Sequence, residues 1–179
     1  IVRFFWQTNQ EQKALKYLED LPSKNNKLLQ DGNYMLYMGE AYQRTGNLRK
    51  AFSCYIQAKE ITKDQGLPYL KIGLLMEELS LYDSAVYHLS QALDLGNKEE
   101  KISASFALGK IHEKEKKWQN AALYYLRAKQ ENPKNPRVYL HIAQISLHLG
   151  KEEYARKNLE NAKASGFKDW EALEKEKFF

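Results

Sequence analysis

The first candidates for chemistry in this chain are four histidines, one cysteine and three adjacent glutamate pairs, and their spacing decides what they can do. His141 and His148 stand seven residues apart on one predicted helix. That is two turns, roughly 10 Å, too far for both to bind one metal ion. His112 falls at a packing position of another helix, and His88 lies on the surface of a third. Cys54 adjoins a packing tyrosine, Tyr55, and has no basic activator beside it, so it reads as an inert, partly buried thiol. Glu77-Glu78, Glu99-Glu100 and Glu152-Glu153 are neighbours in sequence. Adjacent residues on a helix point in different directions, so none of these pairs forms an acid–base dyad. The sequence holds no glycine-rich phosphate loop, paired-cysteine metal motif or nucleophile elbow. It predicts no catalytic residue, no metal ligand and no cofactor, and the chain reads as a non-enzyme.

Composition narrows the classes further. The chain has 179 residues and a net charge of +5, with acidic residues interspersed among the lysines. That pattern is expected of solvated helix faces. Nucleic-acid binding needs a continuous basic face with stacking aromatics. Here the lysines are scattered and most aromatics hold packing positions, so no nucleic-acid partner is expected. A single cysteine excludes an internal disulfide. No apolar run approaches the ~20 residues of a membrane helix. A cytoplasmic setting is slightly favoured and a periplasmic one stays open, because the chain starts at Ile1 in mid-pattern and reads as a piece of a longer protein.

The elements that carry these residues repeat. Ala51 and Ala58, Ala85 and Ala92, Ala121 and Ala128, and Ala155 and Ala162 form pairs seven residues apart, and the pairs recur at steps of 34, 36 and 34 residues. A period near 34 marks a stack of helix–turn–helix units. Apolar residues at spacings of three and four give each helix one apolar stripe. Gly39, Gly73, Gly109 and Ala143 occupy the eighth position of each unit, where a small residue lets the second helix approach. Turn signals divide the helices at Thr45-Gly46-Asn47, Ser80 to Asp83, Lys116-Lys117 and Gly150-Lys151. Pro133 and Pro136 mark a break between units. The predicted organisation is a partial repeat at 1–31 and full repeats at 32–65, 66–101, 102–135 and 136–169. A closing helix over 170–179, capped by Asp169, would cover the last repeat with Trp170 and Leu173. Ala14, Tyr17, Leu18 and Leu21 fit the second helix of the partial unit, with Phe5 at the end of its first. Asn97 to Lys101 is expected to be a linker with two extra residues.

The segment Met35 to Ala58, MLYMGEAYQRTGNLRKAFSCYIQA, resembles the tetratricopeptide-repeat family, and similar matches follow in phase in the other units. Ser105 departs from the pattern, where a large residue is usual, and so does Glu152, where an aromatic is common. The resemblance implies an all-α, right-handed superhelical solenoid. It also implies a binding role for protein or peptide partners, with the first helix of each unit lining a concave groove. The positions that usually face such a groove fall here on Trp6, Leu36, Tyr37, Glu40, Leu70, Lys71, Leu74, Phe106, Lys110, Arg137, Leu140, His141 and Gln144. Arg3 would extend the groove, and Gln43, Arg44, Glu78, Glu113 and His148 occupy its later positions. Leu36, Leu70, Phe106 and Leu140 would form an apolar ladder that either binds a ligand or packs between neighbouring helices. Lys71, Lys110 and Arg137 could orient acidic groups of a ligand. Chaperone-binding members of the family pair a lysine with an asparagine at the fifth and ninth positions of one unit. No unit here has that pair, so a carboxylate clamp is not expected. The implied function is a scaffold or adaptor for a partner segment. Alternatives are a regulatory or targeting arm of a larger enzyme, and self-assembly through open repeat ends.

Overall fold

The structure is a computed structural model that describes residues 1–168. The expected closing helix, with Asp169, Trp170 and Leu173, lies outside the described residues. Among those described, ten α-helices and two short 3-10 turns are present and no strand. The chain divides into two compact units, 1–96 and the part from Asn97 onward.

Unit 1 opens with a short hairpin, α1 (Val2–Gln7) and α2 (Glu11–Asp20). Ala14 and Leu18 are its buried residues, and Phe5 meets the Tyr17 ring edge-on at 6.4 Å. The 3-10 turns Leu21–Ser23 and Asn26–Gln30 lead into α3 (Gly32–Arg44). Asp31 caps α3 by accepting from the Asn33 and Tyr34 amides, satisfying donors that a helix start leaves free. The helices α4 (Leu48–Ile61), α5 (Gly66–Glu78) and α6 (Tyr82–Leu95) follow. Each helix packs against the next along the chain, α3 on α4, α4 on α5 and α5 on α6. Unit 2 repeats the plan with α7 (Lys98–Lys114), α8 (Trp118–Glu131), α9 (Pro136–His148) and α10 (Glu152–Ala164).

The small residues set the spacing. All eight alanines of the four pairs are fully or almost fully buried. A Cβ on Gly109 would lie 2.8 Å from the Tyr125 ring, and a Cβ on Gly39 would meet the Tyr55 ring in the same way. Both tyrosines are completely buried, so neither ring has room to withdraw from a bulkier neighbour.

The turns inside the hairpins share one geometry. Asn47 N–H bonds back to the Tyr42 carbonyl, Leu81 to Met76, Lys117 to His112 and Lys151 to Ser146, each at 2.8–2.9 Å. The residue before each donor is left-handed: Gly46 at φ 82°, Ser80 at 59°, Lys116 at 58° and Gly150 at 70°. This is the Schellman closure of a helix C-terminus. Two repeats fill the position with glycine, and two hold side chains there against the steric cost of a positive φ. Lys116→Gly is therefore expected to raise stability by about 1 kcal/mol, measured as the shift in thermal midpoint. Gly46→Ala should lower it by a similar amount.

One expectation changes. Residues 97–101 are the cap and first turn of α7, which has 17 residues against 13 for α3, α5 and α9. The Asn97 side chain accepts from Glu100 N–H, and the Glu100 carboxylate accepts from Asn97 N–H. This reciprocal cap is a strong helix start, so the two extra residues, with two more that are loop before the first helices of the neighbouring repeats, lengthen α7.

Candidate functional site

In unit 1 the first helices of successive repeats bring several of the expected residues around one cavity. Trp6 on α1 and Tyr37 on α3 have ring centroids 6.0 Å apart. The Arg44 guanidinium lies 4.8 Å from the centroid of the Trp6 ring, a cation–π distance. Arg44 also donates to Glu40 Oε1 at 3.1 and 3.3 Å. Lys71, on α5, donates to Glu40 Oε2 at 3.0 Å. Glu40 thus links two repeats, one cation on each carboxylate oxygen. Trp6, Tyr37, Glu40 and Lys71, with Arg3, Asn33, Leu36 and Leu67, line a cavity of about 390 Å³. The Trp6 indole nitrogen is buried and has no acceptor among the described residues.

Burial pushes the Glu40 carboxyl up, but the Lys71 and Arg44 cations outweigh it and leave it below its ordinary value of 4.5. A lowered carboxyl contributes stability above its unfolded pKa and loses it as pH falls through the folded value. Glu40→Gln should therefore cost up to about 1 kcal/mol at neutral pH. The gap from the parent protein should close as pH drops below 4.5, read from thermal midpoints across that range.

Unit 2 builds a different cluster. Tyr125 on α8 donates its hydroxyl to Glu113 Oε2 on α7 at 2.8 Å. His141 Nδ1 on α9 lies 3.1 Å from the same oxygen. The His141 ring stacks on Tyr125 at 4.7 Å, and Phe106 meets both edge-on at 5.1 and 5.3 Å. Burial raises the Glu113 carboxyl, and its bonds to His141 and Tyr125 lower it by more. One carboxylate therefore ties three helices together. Tyr55 makes the matching bond to Gln43 in the first full repeat, at 2.9 Å. The other two repeats have leucines, Leu89 and Leu159, at the tyrosine position.

The expected groove residues separate by exposure. Leu36, Leu70 and Leu140 are 6%, 5% and 4% exposed, so most of their surface is spent on neighbouring helices. Phe106 is half-buried in the cluster just described. Trp6, Glu40, Lys71, Leu74, Lys110, His141 and Gln144 are half-buried, while Tyr37 and Arg137 are exposed. Trp6, Leu36, Tyr37, Glu40 and Lys71 share the unit 1 cavity, and Phe106 and His141 touch in unit 2. Arg44 and Glu113 matter more than their sequence positions revealed. The available signal was a tyrosine at the twenty-fourth position facing a polar group at the twelfth.

The remaining reactive groups are held by their surroundings. His112 Nδ1 lies 3.2 Å from Glu115 and its ring stacks on Tyr124. His148 stacks on Trp118 at 4.1 Å. His88 is half-buried rather than on the surface, between Tyr69 and Tyr87. Its Nδ1 is buried without a partner among the described residues, and burial, with Lys59 second, lowers its pKa. Burial pushes the Cys54 thiol up against the opposing pull of Lys50. Among the described residues no group of three or more His, Cys, Asp or Glu side chains could hold a metal ion. No helix among them is long and apolar enough to cross a membrane.

Residues 104–137 match the family model described as a tetratricopeptide repeat. Solved structures share the fold over most of the chain. PilF of Pseudomonas aeruginosa is 17% identical, with 96% of this chain and 76% of that one covered and a TM-score of 0.83. MamA of Desulfovibrio magneticus RS-1 is 13% identical over 92% of this chain and 90% of that one, with a TM-score of 0.73. YrrB, described as a tetratricopeptide-repeat protein with an unusual peptide-binding site, is 15% identical over 98% and 88%, with a TM-score of 0.68. A search of curated protein sequences found no match. The in-phase alanine pairs, the recurrent hairpin turns, the matched segment and the shared structures show that the chain has the fold of tetratricopeptide-repeat proteins, with residues 104–137 matching the repeat itself.

Proposed function

We propose that this chain is a non-catalytic protein-interaction module that holds a partner segment against the first helices of its repeats. The observation that supports the reading most directly is the cavity around Trp6, Tyr37, Glu40 and Lys71. It combines aromatic faces with fixed charges, the mixture that suits a peptide's side chains and backbone. Its lining comes from first helices of consecutive repeats. The fold shared with YrrB, whose structure is described by its peptide-binding site, agrees with this. The charged and aromatic groups, rather than the buried leucines, would meet the partner.

The test follows from that division. Tyr37 and Arg137 are exposed, so Tyr37→Glu and Arg137→Glu should leave the helices intact. The double variant and the parent chain are used as baits in parallel pull-downs, with helicity and thermal midpoint checked first. The expected result is loss of partners from the variant while its midpoint stays within a few degrees. Identical partner profiles would count against binding on these faces.

A further inference from the structure

We propose that His88 is an acid-sensitive latch in unit 1: when its ring takes up a proton, the packing of α4 against α5 and α6 loosens and these helices open in mildly acidic solution. The proposal stands apart from the interaction reading above. Three helices meet at one aromatic ring, Tyr69 on α5. The His88 ring on α6 lies 6.2 Å from it, and the Lys59 ammonium on α4 lies 5.8 Å from its centroid, within cation–π reach. Tyr87, exposed on α6, meets His88 edge-on at 5.1 Å. In this slot His88 Nδ1 is buried and has no hydrogen-bond partner among the described residues.

The two protonation states place different demands on that slot. A neutral imidazole can carry its one proton on Nε2 and leave a bare lone pair at Nδ1, whereas an imidazolium has an N–H at both nitrogens. Protonation therefore puts a charged donor at a buried atom without an acceptor, which costs more than the bare lone pair does. The groups that face the ring do not offset that charge. They are Tyr69 from α5, Tyr87 from its own helix and Lys59 from α4, itself a cation. Glu60 adjoins Lys59 but points in a different direction. Glu77 and Glu78 lie more than two turns along α5 from Tyr69, and Asp83 and Asp94 stand on other faces of α6. Burial, with Lys59 second, holds the His88 pKa below its ordinary 6.5. An opened segment takes the proton at 6.5, so the closed form loses stability as pH falls through that value. The loss is complete below the folded pKa, and above the ordinary one the latch stays closed.

The experiment titrates the intact chain by NMR from about pH 8 to about pH 5 and follows the histidine ring resonances, with that of His88 assigned through its bonded backbone. Its midpoint should lie below 6.5. Amide exchange on α4, α5 and α6 is then compared between the parent and His88→Phe at about pH 7.5 and about pH 5.5. The phenyl ring fills the slot and cannot titrate. Every other ionisable group is common to both chains and cancels in the difference. On going to the lower pH, protected amides of the parent should gain up to about tenfold in exchange over those of the variant, the factor for a histidine of ordinary pKa that gains its proton on opening. Lys59→Gln keeps His88 and removes the neighbouring cation, so the His88 midpoint should move up. That variant carries the test should His88→Phe fail to fold. A His88 midpoint at or above 6.5, the same acid-induced exchange in the parent and His88→Phe, or an unmoved midpoint in Lys59→Gln would overturn the latch.

Discussion

Tyr125→Ala is expected to remove about 3–5 kcal/mol of stability, enough to unfold a marginal domain. The ring is fully buried and belongs to a core cluster with Ala121, Ala128, Val138, Ile142 and Ile145. It fills the space that Gly109 leaves open on α7. Truncation opens a cavity where three helices meet. It also strips the stack from His141 and one of two hydrogen bonds from Glu113. Tyr125→Phe separates these contributions. It keeps the ring, removes the hydroxyl bond and should cost about 1 kcal/mol. Urea denaturation with hydrogen exchange on α7, α8 and α9 measures both, because repeat arrays need not unfold in one step. A cost below about 1 kcal/mol for the alanine variant would mean that the cluster collapses around the gap.

The parts of this fold that depend on close packing were legible in the sequence. An alanine seven residues from another, four times in phase, has no purpose on a solvated face, and each one is buried. The glycines at Gly39, Gly73 and Gly109 likewise lie against a fully buried ring or leucine. Features that depend on side-chain choice between equivalent positions were harder to read. Ser80 and Lys116 occupy the same left-handed turn position as Gly46 and Gly150, held there by the turn's hydrogen bonds despite their own preference. Residues 97–101 scan as surplus against a fixed period, whereas the Asn97–Glu100 cap turns them into helix. For the candidate site, a repeat position states which way a residue points but not how deeply it sits. Leu36 and Tyr37 are adjacent, yet one is 6% exposed and the other 37%. The Arg44 guanidinium over Trp6 joins residues from different repeats, and no local spacing encodes that contact.

Leu70→Glu should be strongly damaging to unit 1, and its pH dependence should explain why. Leu70 lies on α5 and is 5% exposed. A carboxylate there would replace a buried apolar side chain, and an unpaired buried charge costs several kcal/mol beyond the lost packing. The expected loss at neutral pH is about 4 kcal/mol or more. A buried acid has its pKa raised, because desolvation penalises the charged form. The charge penalty is therefore absent below the unfolded carboxyl pKa, grows as pH rises, and is complete above the folded value. The variant should recover part of its stability as pH falls from 7 toward 4, the direction opposite to that argued for Glu40. Leu70→Met, similar in volume, should cost less than about 1.5 kcal/mol at either pH. Thermal midpoints of the two variants across that range measure the effect. If Leu70→Glu instead stays folded at neutral pH, the side chain reaches water, and the apolar ladder becomes a surface that a ligand can touch.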